Sequence, residues 1–409
     1  MSETTRRKKA TKKTVTKKTP VKKAAAKKKS EFSLADISTD LKKFEQTILT
    51  DDKHLDAAPY RIPFRNLGLQ KITGGIIGGK FCEIAAISQC GKSFLGYELV
   101  SECQKMGGVA NINDGERALE HSYCEMVGID TSAGTMSVTS MVQMSEIFAY
   151  WTKLVTAVRK KKRNIPILLI QDSYPAMSIP SALDTMGSAD TMGYEAMQKN
   201  QAWSREIEKF VPFLDKNAAT LVLINQFTKD SEAGMYQFKY KSLCEEKMQY
   251  WATQRIRGVL RGPVKKVITV DGKEQKVQTG AVSEWETIKN RAVKPFQKVS
   301  TKIMYSKGML RCSGLFALLQ VDGFFTLGTS KKVEGETLDK AVKVARINKA
   351  KIADAEDTAF RLVQKDKKWV IPDERLEQLV EKYPQMLEPI WTGSYEDEET
   401  DMEPIGDDE

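Results

Sequence analysis

Histidine is almost absent: His54 and His121 are the only two in 409 residues. The six cysteines (Cys82, Cys90, Cys103, Cys124, Cys244 and Cys312) form no C-x-x-C pair and show no spacing suited to zinc. These absences argue against a structural metal site and for a reduced, cytoplasmic setting. No apolar run approaches the roughly 18–20 residues of a membrane span. The first residues lack the apolar core of a secretion signal. Membrane, secreted and disulfide-held classes are therefore set aside, and a chain of this length has room for two or three domains.

Charge is abundant but uneven. Residues 1–30 carry 13 Lys/Arg and one Glu, while residues 394–409 carry nine Asp/Glu and no Lys/Arg. Both ends have little to bury, so a disordered Lys-rich arm and a disordered acidic tail are expected. A flexible polycation binds phosphate polymers without special geometry, which points the arm toward DNA or toward a localisation role. Residues 31–57 follow. Within them 33–49 should form an amphipathic helix, with Ser33 at its start and Leu34, Ile37, Leu41, Phe44 and Ile48 on one face.

From about residue 58 to 314 the pattern alternates strand and helix, as in an α/β fold with a parallel sheet. Strands are expected at Phe81–Ala86, Val109–Asn113, Ile165–Ile170 (with Pro166 at its very beginning) and Leu221–Ile224. A helix over 92–105 should bury Leu95, Leu99, Cys103 and Met106 and stop at Gly107-Gly108. Beyond Gly314, residues 315–393 read as a small α+β domain. Helices are expected there over 337–363 and 373–383, around a strand at 368–371.

The strand ends carry the chemistry, because ligands of open α/β sheets sit beyond the carboxyl ends of the strands. The first strand runs into Ala86-Ile-Ser-Gln-Cys-Gly-Lys-Ser93. Gly91, Lys92 and Ser93 match the phosphate-binding pattern G-x-x-x-x-G-K-[ST], with Ala86 in place of the first glycine. Backbone N–H groups from Ser88, Gln89, Cys90 and Gly91 would hold a β-phosphate. Lys92 would neutralise the β- and γ-phosphates, and Ser93 would bind Mg²⁺. Alanine fits at position 86 only if its φ stays negative. The second strand ends in Asp114-Gly115-Glu116, where a carboxylate could orient or activate a water. The third ends in Asp172-Ser173, the Walker B arrangement, with Asp172 reaching Mg²⁺ directly or through water. The fourth ends in Asn225-Gln226, where an amide can detect a γ-phosphate. Each group alone could be an ordinary cap. Four strand ends all suited to one Mg·ATP are hard to read as accidents.

Two loops follow these ends. Residues 177–192 contain Gly187 and little apolar weight. Residues 227–247 interleave Phe227, Tyr236, Phe238 and Tyr240 with Lys229, Lys239, Lys241 and Lys247, a mixture suited to stacking on bases and contacting phosphates of a single strand.

With these residues in place, the chain resembles the RecA recombinase family, including its phage UvsX-type members, over about residues 58–325. Asn113-Asp-Gly-Glu-Arg-Ala-Leu-Glu120 is similar to the family's Asp-Ala-Glu-His-Ala-Leu-Asp. The resemblance implies a catalytic role for Glu116, an adenine-stacking role for Tyr123 and a place near the base for Glu120. It implies that Gln226 links the γ-phosphate to the second loop, and that the two loops, 177–192 with Gly187 and 227–247 with Phe227, Lys229, Tyr236, Phe238, Lys239, Tyr240 and Lys241, bind DNA. Ile288-Lys-Asn-Arg-Ala-Val-Lys-Pro-Phe296 resembles a family segment whose two basic positions, here Lys289 and Arg291, reach the ATP of the next subunit. The departures are Ala86, the Cys244-Glu-Glu246 that ends the second loop, and the longer basic arm. The acidic tail has a family counterpart.

The resemblance implies a DNA-dependent ATPase of RecA-like fold, a divergent member of the kind phages encode. It would form filaments on single-stranded DNA and catalyse homologous pairing and strand exchange with duplex DNA. The helix at 33–49 would be an oligomerisation segment, and the last domain would gate duplex DNA. Single-strand-binding and loader proteins would be further partners. Two alternatives stay open at this point: an ATP- and DNA-binding filament or mediator protein that does not hydrolyse, and a hexameric replicative helicase with the same core.

Overall fold

The computed structural model describes residues 58–388 except 133, 162–163, 181–191, 231–238, 271–272 and 366–367. The basic arm, the helix expected at 33–49 and the acidic tail lie outside the described residues.

Two short strands, β1 (Arg61–Ile62) and β2 (Ile76–Ile77), pair on either side of helix α1 (Leu67–Thr73). Asn66 caps α1 by accepting from the Leu69 N–H at 2.9 Å. Then come β3 (Phe81–Ala86), α2 (Lys92–Lys105), β4 (Val109–Asp114), α3 (His121–Val127), β5 (Met136–Thr139), α4 (Met144–Lys161), β6 (Ile167–Asp172), α5 (Met192–Lys216), β7 (Ala219–Lys229), β8 (Tyr240–Ser242) and α6 (Glu245–Trp251). Two long strands follow, β9 (Gln254–Val270) and β10 (Lys273–Asn290), then β11 (Lys298–Met304) and β12 (Gly308–Met309).

Nine of these strands form one sheet path, in the order β12-β11-β10-β9-β3-β7-β6-β4-β5, with β8 paired onto β7. From β9 to β5 every neighbouring pair is parallel, and from β9 to β12 every pair is antiparallel. The expected α/β architecture with a mainly parallel sheet is therefore present.

The apolar run of β6 is explained by two cores. Successive strand side chains point to opposite faces. Leu168 and Ile170 join α2 on one face, with Ile84, Ile112, Val222 and Ile224. Ile167 and Leu169 join Phe148 and Trp151 of α4 and Trp203 and Phe210 of α5 on the other. Gly96 of α2 lies so close to the sheet that a Cβ there would meet Ile224 Cδ1 at 2.7 Å.

Helix α2 has the expected bounds. Leu95, Leu99 and Cys103 are buried, but Met106 is exposed. Met106 is the C-cap, one residue beyond the last helical turn, so it no longer faces the core. Strand β6 begins at Ile167, just after Pro166. Strand β7 runs to Lys229, past the expected end, because its last three residues pair with β8.

The region beyond Gly314 corrects one expectation. Helix α7 (Leu315–Val321) precedes β13 (Phe325–Val333), β14 (Glu336–Ile347) and β15 (Ala359–Arg361), which form a three-stranded antiparallel sheet. No helix spans 337–363. Glu334 (φ 51) and Gly335 (φ 89) make a two-residue turn between Val333 and Glu336, and Val342 and Val344 alternate along β14. A left-handed two-residue turn favours a hairpin over a helix. A two-stranded ribbon of β16 (Val363–Lys365) and β17 (Lys368–Val370) comes next, then helix α8 (Asp373–Lys382), near its expected place. Leu315, Phe316, Phe325, Phe360, Leu376 and Leu379 share a third core with Leu67 of α1.

Candidate functional site

Ala86 is the last residue of β3, held between Gln226 of β7 and Gly258 of β9. Its backbone is extended strand, so no glycine is required there. The left-handed positions fall later in the loop, at Gln89 (φ 61) and Gly91 (φ 88). A Cβ on Gly91 would run into the Ile303 side chain, so this glycine is fixed by space as well as by φ. Ser88 and Gln89 are exposed, whereas Cys90 is buried. The Cys90 carbonyl accepts from Ser283 Oγ at 2.8 Å, which ties the loop to β10. Burial pushes the Cys90 thiol up to about 11, against the pull of Ser283 and Lys92. Lys92 and Ser93 open α2. Its N-cap is Gly91, and no side chain caps the first turn. A 14-residue helix whose first N–H groups have no side-chain acceptor is suited to an anion such as a phosphate.

Beside this loop, Asp114 and Asp172 are register partners at the ends of β4 and β6. Asp114 Oδ2 accepts from the Leu119 N–H at 2.8 Å, and Asp172 Oδ2 accepts from the Tyr97 hydroxyl at 2.8 Å. Oδ1 of each is buried without a hydrogen-bond partner. Burial pushes the Asp172 carboxyl above the usual carboxylate range. Ser93 and Tyr97 pull it down, Glu116 pushes it up and Lys92 pulls it down. An orphaned carboxylate oxygen next to a helix-start hydroxyl and a lysine is a donor set that fits Mg²⁺ with a phosphate.

Glu116 is exposed, and its Oε1 accepts from Ser173 Oγ at 2.6 Å. The residue after Asp172 therefore holds the candidate base, as an orienting hydrogen bond would. Glu120 is the exposed N-cap of α3. Tyr123, on the first turn of α3, packs edge-on against Phe94 at 6.0 Å and Tyr97 at 5.8 Å, so it is half-buried over α2.

At the end of β7, Gln226 lies beside Ala86 in register and is half-buried. Its neighbour Asn225 is fully buried and donates to Glu83 Oε1 and to the Leu243 carbonyl, both at 2.8 Å. Glu83 is ion-paired with Arg255 at 2.6 Å, and Arg255 also reaches Glu245 at 3.0 Å. Burial alone would lower the Arg255 pKa, but Glu83 and Glu245 outweigh it and the net shift is upward. The strand carrying Gln226 continues into a hairpin. Phe227 pairs with Ser242, Thr228 with Lys241 and Lys229 with Tyr240. The rings of Phe227 and Tyr240 stack at 6.5 Å. Lys241 lies 3.5 Å from Asp230, and the Lys239 carbonyl accepts from the Asp230 N–H. Tyr236 and Phe238 lie outside the described residues, as does Gly187 of the first loop.

A sequence model of the RecA N-terminal domain matches residues 28–310. The chain belongs to the RecA family. It is 25% identical to RecA of Oleidesulfovibrio alaskensis over 272 residues, covering 66% of this chain and 71% of the relative. It is 24% identical to RecA of Chlorobium limicola over 278 residues, covering 66% and 73%. It is also 24% identical to RecA of Helicobacter pylori strain P12 over 304 residues, covering 72% and 75%.

The RecA-matching segment contains the phosphate loop, Glu116, Asp172, Gln226, Lys289 and Arg291, and it ends before α7. Lys289 and Arg291 stand apart from the rest. Asn290 is paired with Gln254, which is paired with Cys82 at the start of β3. The phosphate loop leaves the other end of β3, about 13 Å farther along the strand. Lys289 Nζ donates to the Gln249 and Tyr250 carbonyls at the end of α6. Burial, then Arg291 and Arg255, lower its pKa. Arg291 is exposed. The fold thus brings Lys92, Ser93, Glu116, Asp172 and Gln226 to the carboxyl ends of the central parallel strands of this RecA-family sheet and puts Lys289 and Arg291 level with the opposite ends of those strands.

Three features escaped the sequence reading. Ser173 was read only as the residue after Asp172, not as the partner of Glu116. Tyr97 lies within the helix expected over 92–105, but nothing local in the sequence singles it out. The Asn225–Glu83–Arg255–Glu245 network was not seen, although one signal was available: Glu83 interrupts an otherwise apolar strand, and such an acid needs a buried cation.

Proposed function

We propose that this RecA-family chain is a DNA-dependent ATPase that forms filaments on single-stranded DNA and carries out homologous pairing and strand exchange. The observation that carries the reading is the convergence, at the carboxyl ends of neighbouring parallel strands, of an uncapped helix start, an orphaned Asp172 oxygen and a Glu116 held by Ser173. Mg·ATP, when bound, supplies the phosphoanhydride bond to be cleaved and a cation that neutralises the departing charge.

The chain's own residues then have separate tasks. Backbone N–H groups of residues 88–91 and the start of α2 bind the phosphates, with Lys92 as their counter-charge. Ser93 and Asp172 hold the cation. Glu116 orients a water and takes its proton, and the Ser173 hydrogen bond keeps the carboxylate oriented. Gln226 reports on the terminal phosphate to the β7–β8 hairpin that follows it. Phe227, Lys229, Lys239, Tyr240 and Lys241 on that hairpin, with Tyr236, Phe238 and Gly187 in the two loops, meet the DNA strand. Tyr123 and Glu120 border the base.

Lys289 and Arg291 are too far along the sheet to serve their own phosphate loop, which supports a role at the loop of an adjacent copy. The ATP site would then be completed between protomers of a helical filament. Residues 31–57 would join protomers, 58–314 would be the ATPase core and 315–393 a small domain on the duplex path. Ala86, the departure from the phosphate-binding pattern, is an extended strand residue, so the missing glycine does not count against the loop.

The test is ATP turnover with and without single-stranded DNA. Hydrolysis that DNA stimulates and Glu116→Gln abolishes supports the reading. Absent hydrolysis with intact nucleotide binding returns the protein to the mediator class.

A further inference from the structure

We infer that Tyr97 is a positioning residue for Asp172, fixing which carboxyl oxygen is offered to the divalent cation that accompanies a bound nucleoside triphosphate. The inference rests on the nucleotide-site reading and extends it to a side chain outside the phosphate-loop motif.

Residues four apart on a helix share a face. Ser93 and Tyr97 are four apart on α2, and the Tyr97 hydroxyl reaches the carboxyl group at the end of β6. Tyr97 is only 3% exposed, and its hydroxyl donates to Asp172 Oδ2 at 2.8 Å. The ring is held edge-on to Tyr123 at 5.8 Å, and Tyr123 is held edge-on to Phe94 at 6.0 Å. The phenol therefore has little freedom to move away from the carboxyl group.

A carboxylate free to turn about its last torsion can present either oxygen, or both. With Oδ2 committed to Tyr97, Oδ1 is the oxygen left without a partner. A buried hydroxyl is costly unless it is hydrogen-bonded, and a phenylalanine or leucine would fill the same core without that cost. The hydroxyl is thus better explained by what it does to Asp172 than by packing. Groups that orient a metal-binding side chain affect metal affinity much as the ligands themselves do.

The experiment is binding of a fluorescent ATP analogue to the full chain, titrated with Mg²⁺, for wild type and Tyr97→Phe. The expected result is nucleotide affinity without Mg²⁺ unchanged within about twofold, and a half-saturating Mg²⁺ concentration raised about tenfold or more. Tyr97→Leu, which also lacks the hydroxyl, gives the same shift and serves if the phenylalanine variant folds poorly. In an Asp172→Asn background, Tyr97→Phe adds no further shift. An unchanged Mg²⁺ half-saturation accompanied only by a lower melting temperature overturns the inference, as does an equal shift in the Asp172→Asn background. Wild-type protein that binds no ATP analogue overturns the nucleotide-site reading itself, and the role of Tyr97 falls with it.

Discussion

Ser173 Oγ lies 2.6 Å from Glu116 Oε1, so the residue that follows Asp172, the last residue of β6, is the hydrogen-bond donor to the candidate base beyond β4. Two neighbouring strand ends are thereby tied together at the candidate site. Glu116→Gln should lower DNA-stimulated ATP turnover by roughly 100-fold or more while leaving nucleotide binding intact. Ser173→Ala should cost less, about tenfold, because the carboxylate remains but is less well held. Steady-state phosphate release and equilibrium binding on the same preparations check both.

The buried pair of Glu83 and Arg255 predicts a stability effect distinct from catalysis. Arg255→Met leaves Glu83 at 0% exposure without its cation. The expected loss is about 3–5 kcal/mol by chemical denaturation. A Glu83→Gln, Arg255→Met double variant should recover much of that loss, since no lone buried charge remains. Equal loss in the single and double variants would count against the pairing argument.

Glu98 predicts a pH dependence. Both its carboxyl oxygens are buried without hydrogen-bond partners, and burial pushes its pKa up to about 8 from 4.5. The folded state therefore holds a proton that the unfolded state releases between those values. Stability should fall as pH rises from about 4.5 to about 8, and then level off for this group. Glu98→Gln should remove that slope and raise stability at pH 8 by ~1 kcal/mol or more. Denaturation midpoints at pH 6 and pH 8 give the comparison, and a parallel pH response in the variant would exclude Glu98 as the source.

Tyr240 stacks on Phe227 at the base of the β7–β8 hairpin. Tyr240→Ala should weaken single-stranded DNA binding by about 1–3 kcal/mol with little change in salt slope, because the lost interaction is stacking. Lys239→Ala and Lys241→Ala should instead reduce the salt slope, because fewer counterions are released. Anisotropy titrations across a salt series separate the two effects.

Much of the parallel core could be read from the chain because its signals are local. An apolar run marks β6, a run broken only by Glu83 marks β3, and Gly107-Gly108 marks the end of α2. Ala86 already falls inside the strand expected at Phe81–Ala86, and its pairing with Gln226 and Gly258 gives the physical reason why no glycine is needed there. The region after Gly335 was misread as helix because its valines and lysines mix two periods. The turn at Glu334-Gly335 decides for a hairpin. Glu83, Arg255, Tyr97 and Ser173 meet across separations that no local pattern reports. Their partners lie on or just beyond other strands, so the sheet order brings each to its partner.

The most direct measurement is electron microscopy of the full chain with single-stranded DNA and a non-hydrolysable ATP analogue. The account predicts helical filaments in which the nucleotide lies between protomers, touched by Lys92 of one and by Lys289 and Arg291 of the next. Closed rings, or a nucleotide enclosed within one protomer with Lys289 and Arg291 remote from it, would contradict it.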